Sequence, residues 1–107
     1  MPKEFCIRSD VWRSHSDLRG CAPATRGIFA DLICLAFEDG ADGVVLIGGR
    51  SPSVSEIALR FGYAEHEVRS ALYDLIYEMV LANVAFDGEN ISRIEIARNW
   101  VWLAGDA

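Results

Sequence analysis

The apolar positions between 65 and 80 recur as a helix recurs. Val68, Leu72, Leu75, Ile76 and Met79 stand at i, i+4, i+7, i+8 and i+11, which is one stripe of a 3.6-residue period. At 100° per residue the opposite face carries His66, Glu67, Ser70, Tyr73, Asp74 and Tyr77. The pattern predicts a helix over 65–80. Just before it, Ser53 and Glu56 make the S-x-x-E capping box, in which each side chain satisfies a backbone N–H of the other residue. Ile57, Ala58 and Phe61 then turn inward, and Gly62 suits the left-handed residue that follows a helix end. Two helices joined by a short turn are therefore expected. Upstream, Ile28, Phe29, Leu32, Leu35 and Ala36 share one face of a helix predicted over 25–38, after an approach through Pro23 and Thr25. Ile33, Cys34 and Phe37 leave few polar positions around the rest of that helix, so it is either central to the domain or in contact with a partner subunit.

Period-two patterns complete the chain. The run 44–47 (Val-Val-Leu-Ile) is a short strand closed by Gly48-Gly49, and it is expected to pair with a hairpin further on. That hairpin is predicted from 81–86 and 91–97, where Ile94 and Ile96 alternate with Arg93, Glu95 and Ala97. Asp87-Gly88-Glu89-Asn90 supplies a turn of hairpin length, and 39–43 reads as a loop. Residues 1–22 mix Phe5, Ile7, Val11 and Trp12 with Arg8, Asp10 and Arg13, and are expected to form an extended arm with a short strand. Trp100 and Trp102 lie two apart in the apolar tail 99–107 and would share a face in a strand. Core closure is the default reading for them, and a homodimer contact the sharper one. The resulting fold class is α+β, mainly helical: one domain over 1–107, in which 23–98 form a winged helix-turn-helix of three helices, a short strand and a C-terminal β-hairpin wing.

The succession 26–35 (Arg-Gly-Ile-Phe-Ala-Asp-Leu-Ile-Cys-Leu), the glycine-flanked strand, 55–62 (Ser-Glu-Ile-Ala-Leu-Arg-Phe-Gly) and 67–75 (Glu-Val-Arg-Ser-Ala-Leu-Tyr-Asp-Leu) resembles the N-terminal winged-helix domain of phage replisome organisers and related phage replication proteins. The match is one of pattern and spans roughly three-quarters of the chain. It implies that the third helix and the wing would touch DNA, and that a separate C-terminal region would recruit a helicase loader. The chain stops shortly after the hairpin, so that recruiting region is expected to be absent.

Charge argues against the DNA role. Residues 36–91 hold three arginines against ten carboxylates, a net −7, whereas the whole chain carries −6. DNA places one phosphate charge per ~1.7 Å of duplex, and attraction to those phosphates supplies most non-specific affinity. Here the outward face of the third helix offers Glu67 and Asp74, and the wing tip offers Asp87 and Glu89. Arg60 and Arg69 each follow a glutamate by four residues (Glu56 and Glu65), the favourable helical spacing for an ion pair. N-terminally, Lys3, Arg8, Arg13, Arg19 and Arg26 leave only +1 against Glu4, Asp10, Asp17 and Asp31, thin support for a minor-groove arm. Tyr73 and Tyr77 share the outward face with Ser70. They suit a protein interface, or else they pack under the wing.

The function expected from these features is non-enzymatic. An acidic winged-helix module of phage origin would bind a basic surface of a protein or nucleoprotein complex through Glu67, Tyr73, Asp74, Tyr77, Asp87 and Glu89. Such a module would act as an inhibitor or DNA mimic against host nucleic-acid machinery of the CRISPR or restriction type. The competing expectation is a DNA-binding replication or transcription regulator whose Arg50, Arg69, Arg93 and Arg98 converge. A third is a homodimer held by the first helix or by Trp100 and Trp102.

Neither cofactor nor metal is expected. Gly48-Gly49-Arg50-Ser51 lacks the P-loop lysine, and Cys6, Cys21 and Cys34 are odd in number with no CxxC pairing. They read as buried or half-buried thiols. Hydrophobic residues at 51% with 24% charged residues describe a globular chain. With no apolar run of ~18 residues and no signal-like N-terminus, a cytoplasmic protein is expected, in the host cytosol if phage-encoded.

Overall fold

A computed structural model of the chain describes residues 5–38, 42–88 and 90–103. Helix α3 (Pro23–Phe37) runs through its middle, with Pro23 in the first turn where a missing N–H is no loss. Thr25, Ile28, Phe29, Leu32, Ile33, Leu35, Ala36 and Phe37 are all buried, so the helix is covered around most of its circumference. Helices α4 (Val54–Phe61) and α5 (Glu65–Tyr77) supply much of that cover, α5 lying along α3 and α4 against α5. The α4 capping box is present as expected: Glu56 N–H donates to Ser53 Oγ at 3.1 Å, and Ser53 N–H donates to Glu56 Oε1 at 3.2 Å. Gly62 closes the helix at φ +79.

The hairpin is made of β2 (Asn83–Phe86) and β3 (Ile91–Glu95), antiparallel, with Val84 opposite Ile94 and Phe86 opposite Ile91. Ile91 and Ile94 are both buried although three apart, which strict alternation forbids. The register shift between Ala85 and Phe86 is a bulge that turns both isoleucines inward. The run 44–47 pairs with the hairpin as predicted, but as a single bridge between Val44 and Glu95 rather than a full strand. Val45 N–H donates to Ile94 O at 2.9 Å.

The N-terminal residues depart from expectation in part. The expected short strand is there as β1 (Phe5–Ile7), but in place of an extended arm the rest forms α1 (Ser9–Ser14) and α2 (Ser16–Arg19), and Leu18 is fully buried. The reason is Phe29 of α3, whose ring is stacked on Trp12 (6.0 Å between centroids) and met edge-on by Trp100 at 4.9 Å. Strand β1 pairs with β4 (Val101–Leu103), Cys6 opposite Trp102, which ties the two ends of the described chain together. Trp100 and Trp102 do not share a face. Residues Arg98–Trp100 form a 3₁₀ turn, which drops Trp100 into the core and leaves Trp102 half-exposed under the Arg8 guanidinium, 4.2 Å from its ring centre. A surface role for Trp100 is thereby removed.

Among the described residues the chain is thus an α+β domain of five α-helices and two small antiparallel sheets. Its Cα radius of gyration, 13.0 Å, matches the ~13 Å expected of one domain of about this length. No helix among these residues is long and apolar enough to cross a membrane. Of the cysteines, Cys21 is buried and Cys34 half-buried as expected, while Cys6 is exposed.

One glycine joins the hairpin to the helices. Gly88 holds φ +102, and a Cβ placed there would lie 2.6 Å from the Tyr73 hydroxyl. Gly88→Ala is expected to lose about 1–3 kcal/mol of stability through backbone strain and this clash, read as a lower urea midpoint at unchanged m-value.

Candidate protein-binding face on helix α5 and the hairpin

Helix α5 begins at Ala64, whose N–H donates to Glu67 Oε1 at 2.8 Å. Alanine has no oxygen to return the bond, so only the glutamate half of a capping box exists here. The helix is held in place by Val68, Ala71, Leu72 and Leu75 inside, and by the Tyr63 hydroxyl just before it, which donates to Asp31 of α3. That short bond, with some burial, pushes the Tyr63 phenol up to about 12. Toward the hairpin, Arg69 Nε donates to Gly88 O at 2.9 Å and the Tyr73 ring packs 5.3 Å from that of Phe86. Tyr73 therefore packs under the hairpin, as one of its two readings expected, and keeps 51% of its surface exposed.

The acidic residues singled out on this face are engaged with the chain's own backbone. Glu67 takes the Ala64 N–H. Asp74 accepts the Ala22 N–H at 3.0 Å, just ahead of α3. Asp87 accepts the Asn90 N–H at 2.7 Å and so closes the hairpin turn. Glu89 lies outside the described residues. Each of these three carboxylates has a structural reason to be there. Burial, with Asp74 and Glu78 nearby, pushes the Cys21 thiol up to about 11, so it is no ready nucleophile. Burial likewise raises Cys34. Among the described residues there is no cluster of three or more metal-ligating side chains.

The candidate DNA-binding arginines are engaged too. Arg50 clamps Glu56 through two parallel bonds of 2.8 and 2.7 Å, Arg93 pairs with Glu95, and Arg69 holds the Gly88 carbonyl. Arg98 is exposed in the 3₁₀ turn. In the N-terminal segment Arg8 pairs with Asp10 at 2.9 Å and Arg26 donates to Cys21 O at 2.7 Å. The expected pair of Glu56 with Arg60 is not formed, because Arg50 takes both carboxylate oxygens.

Beside the exposed Glu65, His66, Glu67 and Ser70, the end of α5 presents two large exposed hydrophobic side chains. Tyr77 is 84% exposed and Met79 80% exposed. Met79 was expected on the inner stripe, and the structure corrects this. The helix ends at Tyr77, Met79 N–H donates to Ile76 O and Val80 N–H to Leu75 O, and Met79 itself sits at φ +59. This is the Schellman ending, with methionine where glycine is usual and Val80 buried behind it. No glycine marks the stop, so the i+11 match carried the predicted helix too far.

The Glu56 carboxyl, held by Arg50 and the Ser53 N–H, drops to about 2 from an ordinary 4.5. A depressed folded pKa gives stability that is present above the unfolded value and lost as pH falls from about 4.5 toward about 2. Glu56→Gln is therefore expected to be less stable than the parent at pH 7, with the difference closing across that window in denaturant titrations at stepped pH.

No protein-family model, curated protein or solved structure matches this chain.

Proposed function

We propose that the chain is a winged-helix binding module that acts by protein–protein contact through α5 and the hairpin, and not by catalysis. The order helix, bridged segment, helix, helix, hairpin supports the winged-helix reading, as does the bond from Val45 to the hairpin at Ile94. The observation that carries the functional reading is the pair Tyr77 and Met79. Both are more than three-quarters exposed, next to Tyr73, and Met79 occupies a left-handed conformation that is unfavourable for any side chain. A left-handed non-glycine residue costs ~1–2 kcal/mol. Stability alone would favour glycine there, so a large apolar group kept at such a position fits contact with a partner. Tyrosine and methionine are enriched at interface centres, and the flanking Asp74 and Glu78 form an acidic rim. The partner best suited is a basic surface around an apolar pocket. An inhibitor of nucleic-acid machinery, phage-encoded as the sequence pattern implies, fits this chemistry. DNA as partner is disfavoured because Arg50, Arg69 and Arg93 are already engaged within the chain.

Two measurements test the reading. In anisotropy titrations at low salt, the protein is expected to leave random duplex and single-stranded DNA unbound at micromolar concentration. Tight, salt-sensitive binding would instead make it a DNA-binding regulator. Against a captured partner, Tyr77→Ala is expected to change stability by less than about 0.5 kcal/mol, yet to weaken binding by about 2 kcal/mol, some 30-fold. Met79→Gly should raise stability by ~0.5–1 kcal/mol while weakening the same complex. Binding untouched by both variants would remove α5 from the interface.

A further inference from the structure

Three Asp-Gly pairs stand in the chain, at 39–40, 42–43 and 87–88. Aspartate before glycine can react with its own backbone, because no Cβ on the glycine hinders the approach of its nitrogen to the carboxyl carbon. The first pair lies outside the described residues. The other two are held differently. Gly43 is buried and gripped on both sides: its N–H donates to Ala36 O at 2.7 Å, and its carbonyl accepts the Ile96 N–H at 2.7 Å. At Gly88 the carbonyl is held by Arg69 Nε at 2.9 Å, but the N–H meets no acceptor among the described residues. Asp87 Oδ1 accepts the Asn90 N–H at 2.7 Å, a bond that draws the carboxyl forward across the base of the turn. Asp42 and Asp87 are both exposed, so access of water does not separate the pairs. The state of the glycine nitrogen does.

We propose that Asp87–Gly88 is a site of self-modification, at which the hairpin turn converts slowly to an isoaspartyl link. The Gly88 nitrogen forms a bond to Asp87 Cγ and gives up its proton, while the protonated carboxyl loses its hydroxyl. One water departs and a five-membered succinimide closes. A water from solvent then opens one of the two carbonyl–nitrogen bonds of the ring. Opening at Cγ restores aspartate. Opening at the original main-chain carbonyl leaves the chain running through Cγ, one methylene longer. The water lost is regained, and neither oxidant nor enzyme is required. The longer link alters the contact between the hairpin and α5. A Cβ on Gly88 would lie 2.6 Å from the Tyr73 hydroxyl, so the glycine already sits against that ring, and its carbonyl is the Arg69 acceptor. An added methylene displaces Gly88 from a fit this close, and the hairpin loosens from α5.

The test is to age the full chain at neutral pH in ¹⁸O-water, digest it in ordinary water, and read each Asp-Gly pair by electron-transfer fragmentation, which tells isoaspartate from aspartate. Heavy oxygen and isoaspartyl fragments are expected to accumulate at Asp87 at least about fivefold faster than at Asp42, where a buried hydrogen bond must first break. In guanidinium, with both turns unfolded, the two rates should converge. Urea unfolding of the aged parent should gain a component of lower midpoint. Aged Asp87→Glu should gain none, since its longer side chain cannot close the five-membered ring. Four results would overturn the proposal: no label at Asp87, a rate at Asp42 equal to or above it in the folded chain, rates that stay apart in guanidinium, or a labelled parent that unfolds as the fresh protein does.

Discussion

Covering α3 around most of its circumference is the constraint from which the rest of the architecture follows. Its eight buried residues among fifteen leave only the flank of Ala24, Gly27 and Asp31 toward water, since each large apolar side chain left exposed forgoes about 1.5–3 kcal/mol. Different parts of the chain supply the cover. Helix α5 lies along one side. Near the C-terminal end Gly43 closes over Phe37, its N–H donating to Ala36 O at 2.7 Å and its own carbonyl accepting from Ile96. Trp12 and Trp100, from opposite ends of the sequence, meet on Phe29. The β1–β4 pair and the N-terminal helices are therefore part of the core's enclosure.

The surplus of acid has a physical explanation that total charge hides. Several carboxylates are used one at a time, each on a nearby backbone donor or guanidinium. Glu67 opens α5, Asp74 reaches across 52 residues to the Ala22 N–H, Asp87 closes the hairpin, and Glu56 serves both a helix cap and Arg50. Such bonds fix geometry where backbone groups would otherwise stay unpaired, which matters more to the fold than a screened surface charge does. The field around the molecule remains negative, while its cations are distributed by local competition. Arg50 outcompetes Arg60 for Glu56 because two parallel bonds from a planar guanidinium hold a carboxylate better than one flexible contact along a helix.

Much of the fold was legible in local pattern. The S-x-x-E box and Gly62 rest on interactions within a few residues, and the structure keeps them, as it keeps Val68, Leu72 and Leu75 on the inner stripe of α5. The features that escaped depend on distant partners. The ordering of residues 5–19 follows from Phe29 needing Trp12, and no periodicity in a mixed segment announces that. The separation of Trp100 from Trp102 follows from a three-residue turn that the strand reading of the tail did not contain. Ile91 and Ile94 share a face only because of a bulge. On the candidate face, Tyr73 and Tyr77 could be read from helical geometry. Met79 could not, because its position depends on a helix end with no glycine to mark it, and Arg60 was paired by spacing with a glutamate that a third residue takes.

The ends of helices α4 and α5 separate what packing demands from what it does not. Helices α4 and α5 finish in the same way, each with a left-handed residue followed by a chain that turns into the core. At α4 that residue is Gly62, which adopts φ +79 with no side chain to strain. At α5 it is Met79 at φ +59, with its side chain in water. Behind Gly62 comes the half-buried Tyr63 and behind Met79 the buried Val80, so at α5 packing accounts for the left-handed turn while the methionine side chain itself stays in water. A protein stabilised by only a few kcal/mol beyond its conformational entropy bears the strain of Met79 and the exposure of Tyr77 in one place. Two unfavourable terms, the left-handed Met79 and the exposed Tyr77, thus fall on one short surface.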